Sequence, residues 1–276
     1  MKARIKMIFL TLMFSTFREA IAKKIFLGFF AISTLIILIF LFLINVDSVE
    51  GMVDMMGSSG TEGIKQLVIG FEVAMINISY LLIITFCFVS VASFIPSMLE
   101  KGNIDLLLSK PVSRTKIILA KFSGGVLLIF LSLIYLIGFV WLILSLKSGY
   151  WNITFLYSIF WLTLSFAIIY SIIILVGLIS QSTVLSIIIS LFVVFIVCPI
   201  LAVREEVIFS IVSNSTAQFI LNFFYYILPK PSDINKITTN IITGEAVNSY
   251  MPVYTSVLFM LAMLSLSILY FKKKDY

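Results

Sequence analysis

The sequence predicts an all-α, polytopic membrane protein: six transmembrane helices behind an N-terminal amphipathic helix. Three observations lead there. Hydrophobic residues make up 61% of the 276 positions and charged residues 12%, against about 25% charged in ordinary globular domains. Six stretches free of Asp, Glu, Lys and Arg are each long enough to cross a bilayer as a helix, which takes about 20 residues. Lys and Arg also collect in alternate connections between these stretches, the asymmetry that fixes orientation in a membrane.

The chain opens on residues 2–22. Arg4, Thr11, Ser15 and Arg18 fall on one helical stripe, while Met7, Phe9, Leu10, Met13, Phe14 and Phe17 cover the rest. Such a helix lies in the headgroup plane with its apolar face down; a basic anchor without helix is the plainer alternative. No small-residue cleavage site follows the basic start, and the next apolar run is long enough to span, so the segment is expected to stay attached.

The spans are read over about 25–45, 73–99, 122–146, 151–179, 183–203 and 253–271. They are helices rather than strands, because an unpaired backbone group in hydrocarbon costs several kcal/mol and the runs are twice as long as barrel strands. The second contains Asn77 and, near its end, Pro96; only "SQST" separates the fourth from the fifth, a tight turn at one face. With six spans, the N-terminal segment, the loop from Lys101 to Lys121 and the tail with Lys272, Lys273 and Lys274 share one side. The other side holds only Lys65, Lys147, Arg204, Lys230 and Lys236 against nine acidic residues, Asp47, Glu50, Asp54, Glu62, Glu72, Glu205, Glu206, Asp233 and Glu245. Both termini are therefore expected in the cytoplasm and the chain in the inner (cytoplasmic) membrane of the cell.

The outer connections differ in kind. Residues 46–72 include "GMVDMMGSSGTEG" and read as a flexible linker. The outer segment 204–252 is longer and less polar. Its Phe219, Phe223, Phe224, Tyr225 and Tyr226 suit helices tucked against the outer interface, broken at "LPKPSD" by Pro229 and Pro231. It reads as a lid or docking surface for an extracytoplasmic partner, or as an ordinary cap on the bundle.

What is missing narrows the chemistry. With no histidine, triads and zinc sites that need imidazole are excluded, and no G-x-x-x-x-G-K-[ST] loop cradles a nucleotide phosphate. Cys87 and Cys198 sit in apolar runs as packing residues. The cores of the spans so read hold no Asp, Glu, Lys or Arg, the groups that proton-coupled and many ion-coupled carriers keep at mid-membrane. Ser33, Thr34, Ser79, Thr85, Ser165, Ser186 and Ser190 serve as helix-to-helix glue. No catalytic site, cofactor, metal or nucleic-acid partner is expected, and an intramembrane enzyme is disfavoured. If the protein moves anything, its energy source lies outside the chain.

That leaves the charged stretch "LEKGNIDLLLSKPVSRTKIILAK", residues 99–121. Glu100 and Lys101 mark the water boundary, and Gly102 permits a sharp change of direction. "NIDLLLSK" then makes about two helical turns, with Ile104, Leu107 and Leu108 on one side and Asp105 near the start, where a carboxylate suits the helix dipole. Pro111 stops it, and Ser113 is placed to cap a new helix from Arg114 onward. Read without further context, these residues make a positive-inside loop with a cap and a proline stop.

The stretch also resembles the first intracellular loop of type-2 exporter permeases of the ATP-binding cassette (ABC) superfamily. Their pattern is roughly E-x-G-[ST]-[ILF]-[DE]-x-L-L-[AST]-x-P-[ILV]-[ST]-R with a lysine some seven residues on. Glu100, Gly102, Asp105, Leu107, Leu108, Pro111, Ser113, Arg114 and Lys121 match; Asn103 departs where a small hydroxyl is usual. The architecture is similar over the whole chain, 1–276, as one permease domain. Within the group, the size and "YYILPKPSD" are similar to the permease linked to nitrous oxide reductase maturation. The resemblance implies a homodimer, each copy docking a separate ABC ATPase subunit that grips residues 102–109 as a coupling helix, with Glu100 and Arg114 bracing its ends. ATP hydrolysis would then drive export. The alternative is a non-transporting membrane scaffold or assembly factor that recruits a soluble partner through the 100–121 loop.

Overall fold

The computed structural model describes residues 11–16, 18–19, 21–22, 25–43, 61–86, 92–100, 102–104, 112–212 and 214–274. These residues form helices and short turns, with no strand among them. After the helical pieces within 11–22 come α1 (Ile25–Leu43), α2 (Thr61–Phe86), the short α3 (Phe94–Leu99) and the long α4 (Arg114–Ser148). A single 3-10 turn leads into α5 (Tyr157–Ser180). Next, α6 (Thr183–Phe192) continues through a π-helical turn into α7 (Cys198–Ala202). A second π turn (Arg204–Ile208) and the short α8 (Phe209–Ile211) precede α9 (Ser215–Ile227), α10 (Pro231–Thr243) and α11 (Met251–Lys273).

Five stretches are long and apolar enough to cross a bilayer: Thr61–Thr85, Arg114–Ser148, Ile153–Ser180, Thr183–Ala202 and Met251–Lys273. Within α1, Leu27–Phe42 forms a shorter apolar helix. Local chemistry sets several ends. Gly149, at φ +73°, closes α4 by donating its N–H to the Ser145 carbonyl at 3.0 Å, the left-handed cap that glycine adopts without strain. In the "SQST" turn, Gln181 caps α5 in the same left-handed conformation, and Ser182 Oγ accepts the Leu185 N–H to start α6.

The second helix departs from the sequence reading. Residues 61–72, read as linker, are its first three turns. Glu62 lies in the first turn, where its charge complements the helix dipole, and Leu67 and Val68 are buried. Glu62, Lys65 and Glu72 interrupt the uncharged run and so conceal a helix whose buried face is apolar. Glu72 also corrects the expectation of spans free of charge. It is 1% exposed, inside a stretch apolar enough to span, and accepts a 2.6 Å hydrogen bond from Asn152 Nδ2.

The hydroxyl residues divide. Thr34 Oγ1 and Tyr135 OH bond across α1 and α4 at 3.0 Å, as helix glue should. Thr85 and Ser186 instead donate to carbonyls four residues back in their own helices or helix starts, an alternative open to any helical hydroxyl. Ser33, Ser79, Ser165 and Ser190 are buried, and their hydroxyls have no hydrogen-bond partner among the described residues.

The core is built around α5. In its most apolar window 78% of residues are buried, against 28% for the Thr183–Ala202 stretch and 22% for α11. It packs on α4, α6, α10 and α11. Tyr170, fully buried on α5, stacks with Phe122 and lies beside Phe166, while its hydroxyl donates to the Lys121 carbonyl at 3.2 Å. The ring fits only because α4 carries glycine opposite: a Cβ on Gly125 would stand 2.5 Å from Tyr170 Cε1. At the far end, α10 is not merely laid on the surface. It packs between α2 and α5 with Ile234, Ile237, Thr238 and Ile242 buried, and Asn235 Nδ2 donates to Asn77 Oδ1 at 3.0 Å.

Gly125→Ala is expected to lower the thermal denaturation midpoint in detergent, at a cost of about 1–3 kcal/mol for overpacking against Tyr170. Gly138→Ala on the same helix meets nothing within 4 Å and should leave the midpoint unchanged or slightly higher.

Candidate functional site

The end of the bundle that carries residues 100–113 is assembled around one carboxylate. In the N-terminal segment, Leu12 O accepts bonds from Ser15 Oγ and Thr16 Oγ1. This helical turn sets Thr16, fully buried, against Gly124 of α4. A Cβ on Gly124 would lie 2.9 Å from Thr16 Cβ and Oγ1 and 3.0 Å from the Met13 carbonyl, so glycine permits the close crossing. Farther along the same segment, Glu19 meets Lys121, with Oε2 at 2.5 Å from Nζ. Its Oε1 accepts a 3.0 Å bond from Ser97 Oγ on α3. Lys121 Nζ also lies 5.9 Å from the centre of the Phe94 ring, and the side chains of Lys121 and Glu19 are 10% and 24% exposed. One acidic group thus joins the N-terminal segment to both helices that flank the loop.

The loop begins with a tight turn. Glu100 leaves α3 in an extended conformation, and its carbonyl accepts from the N–H groups of Asn103 (3.1 Å) and Ile104 (3.2 Å). Gly102 has φ +91°, a left-handed value that favours glycine. Asn103, the position that departs from the family pattern, uses its amide to donate to the Ser97 carbonyl at 2.9 Å. Ile104 is buried in the core. Asp105, Leu107, Leu108 and Pro111 lie outside the described residues. The structure therefore brings Glu100 and Gly102 into one turn and shows only the start of the expected short helix, at residues 103–104.

Ser113 holds the N-cap position of α4 through its backbone: its carbonyl accepts from Lys116 and Ile117, and its hydroxyl makes no capping bond. Arg114 reaches the other end of the chain. Its Nη1 donates to the carbonyls of Phe271 at 2.9 Å and Lys274 at 2.5 Å, and the guanidinium lies 5.8 Å over the Phe271 ring. The last carbonyls of a helix lack intrahelical partners and carry the negative end of its dipole, so a cation there caps α11 and ties it to the head of α4.

Glu19, Ser97, Thr16 and Gly124 were not among the residues singled out from the sequence. The available signals were slight: Glu19 is the one acid in a strongly basic segment, and Gly124–Gly125 is a glycine pair inside an apolar run. Among the described residues no group of three or more Asp, Glu, Cys or His side chains is placed to hold a metal. What the arrangement offers is mechanical. The loop's two stems, the N-terminal segment and the last helix are linked by ionic and hydrogen bonds.

Removing one partner of the Glu19–Lys121 pair, as in Lys121→Met, is expected to cost about 1–3 kcal/mol, less than for a fully dry pair because Glu19 keeps some solvent contact. In a double-mutant thermal-denaturation cycle, Glu19→Gln combined with Lys121→Met should cost less than the sum of the two single changes. Arg114→Ala should speed trypsin cleavage at Lys272–Lys274 in the folded protein, while Lys116→Ala should not.

The family model for ABC-2 family transporter proteins matches residues 10–276. It matches the family as a whole and does not single out the subgroup linked to nitrous oxide reductase. No curated protein matches the chain. With a family match from the N-terminal helix to the last residue, and a multi-pass helical fold of the corresponding kind, the chain belongs to the ABC-2 family of transporter proteins.

Proposed function

We propose that this permease component of an ABC transporter works as the membrane subunit of an ATP-driven exporter, with ATP hydrolysed on a separate ATPase subunit docked at the 100–121 loop. Membership of the family implies pairing with an ABC ATPase subunit. In this reading the loop end is cytoplasmic, both termini included, and the membrane is the inner membrane of the cell. Glu100 and Gly102 turn the chain, Asp105, Leu107 and Leu108 present the helix that the ATPase grips, and Pro111 ends it. Ser113 and Arg114 begin the lever, α4.

The observation that supports this most directly is the joint behind the loop. A force applied to residues 102–109 passes to α4 through its own backbone, to the N-terminal segment through Glu19 and Lys121, and to α11 through Arg114. A loop that only recruited a partner would not require its stems to be tied to two other parts of the chain. A second copy of the chain completes the assembly in this reading. The apolar outward face of α6, with Leu185, Ile188 and Phe192 each about half exposed, is available to that copy or to lipid. The 204–252 segment, at the far end, is then the part offered to any extracytoplasmic partner.

Gly102→Pro cannot adopt the observed φ, and Leu108→Asp puts a charge on the gripped face. Each is expected to abolish copurification of the cognate ATPase and the stimulation of its turnover by the permease. Survival of both properties in both variants would exclude the coupling role. Transport by proteoliposomes should require ATP; ATPase binding with no transport under any condition would favour the scaffold.

A further inference from the structure

At the end opposite the loop, α9 poses a problem of attachment. None of its residues is buried, and Phe219, Phe223 and Tyr226 point outward, each more than half exposed. Apolar burial therefore holds this helix only in part, through half-buried residues such as Ala217 and Leu221 where it packs on α7 and α11. Gln218 Nε2 ties it to the Val212 carbonyl just before it at 2.8 Å, and its charged ties to the bundle run through Asn222 and Tyr225. Arg204, 5% exposed just past the end of α7, donates through Nε to Asn222 Oδ1 at 2.8 Å, and its Cζ lies 3.4 Å from the centre of the Tyr225 ring. Lys230, 4% exposed between α9 and α10, places Nζ 4.4 Å from the same ring. The phenol donates to Asp233 Oδ2 on α10 at 3.1 Å.

The cations are themselves anchored. Arg204 donates to Leu201 O and to Glu205 Oε1. Lys230 donates through Nζ to Thr255 Oγ1 at 2.9 Å and through its backbone N–H to Ser256 Oγ, both on α11. Burial pushes Tyr225 up to about 12, which keeps its hydroxyl protonated as a donor. Burial, opposed by Asp233 and assisted by Arg204, brings Lys230 down to about 8. A cation held against an aromatic face is worth more when it is desolvated, and here one ring receives two.

We propose that Arg204, Tyr225, Lys230 and Asp233 form a latch that holds α9 shut over a cleft at the outer end of the fifth span, and that the latch opens when the permease opens outward. The last clause rests on the transporter reading; the latch itself does not. Cys198 lines the cleft together with Leu201, Tyr225 and Lys230. It is buried and donates to the Pro229 carbonyl, so its thiol reports whether the latch is closed.

The test uses the full chain in lipid nanodiscs, with Cys87→Ser so that Cys198 is the only thiol, and a polar maleimide at fixed pH. No ATPase or substrate is needed, so failure here would leave the transport reading untouched. The parent should label slowly. Tyr225→Leu removes the ring and should label about tenfold faster, the shift expected from losing two cation–ring contacts. Tyr225→Phe keeps the ring and should stay nearer the parent. Lys230→Met preserves side-chain length without charge and should fall between, which keeps the proposal testable if Tyr225→Leu does not fold. Parent-like labelling in both the leucine and the methionine variants, with full labelling after denaturation, would overturn the latch. Equal rates for phenylalanine and leucine at Tyr225 would overturn it as well, because the ring would then make no difference.

Discussion

Where water is scarce, a carboxylate is retained only where something compensates it, and the partly buried Glu19 is compensated twice. Lys121 neutralises it and Ser97 fills its second oxygen. Because those partners sit on α4 and α3, the ionic bond also fixes where the N-terminal segment crosses the bundle. Gly124 allows that crossing to be close, and Gly125, on the neighbouring position, admits Tyr170 from α5. The Tyr170 hydroxyl returns to the Lys121 carbonyl. Loop end, core helix and interfacial segment therefore share one short run of α4, residues 121–125.

The same constraint explains the rest of the polar chemistry. Glu72 lies where Asn152 can donate to it, and Asn152 is held in turn by Thr154 and by the Trp141 ring N–H on its carbonyl. Lys147 donates to the Leu41 carbonyl near the end of α1. Arg114 satisfies the open carbonyls of α11, and Arg204 and Lys230 rest on a tyrosine ring. At each of these places a charged or strongly polar side chain occupies a helix end or a joint between helices.

The two ends differ in how they are held. At the loop end a full ion pair and backbone caps link four parts of the chain. At the far end α9 is attached through two cations on one ring, a phenol and the Arg204–Asn222 hydrogen bond, contacts that act together. On the proposed function, the asymmetry suits a firm input joint at one end and a releasable cover at the other.

By itself the sequence determined the all-α, multi-pass class, because apolar runs and turns depend on local chemistry. Apolar length, the "SQST" turn and the glycine at 102 all act within a few residues. Tertiary structure decided the partners. Glu19 finds Lys121 across 102 positions, and Arg114 finds the Phe271 carbonyl across 157; nothing in a local pattern distinguishes those targets from other charges and carbonyls. It also extended α2 through a stretch whose glycines and serines read as linker, where Asn152, from a different connection, donates to the buried Glu72. Charge placement told which end is polar, and packing alone told what each charge holds.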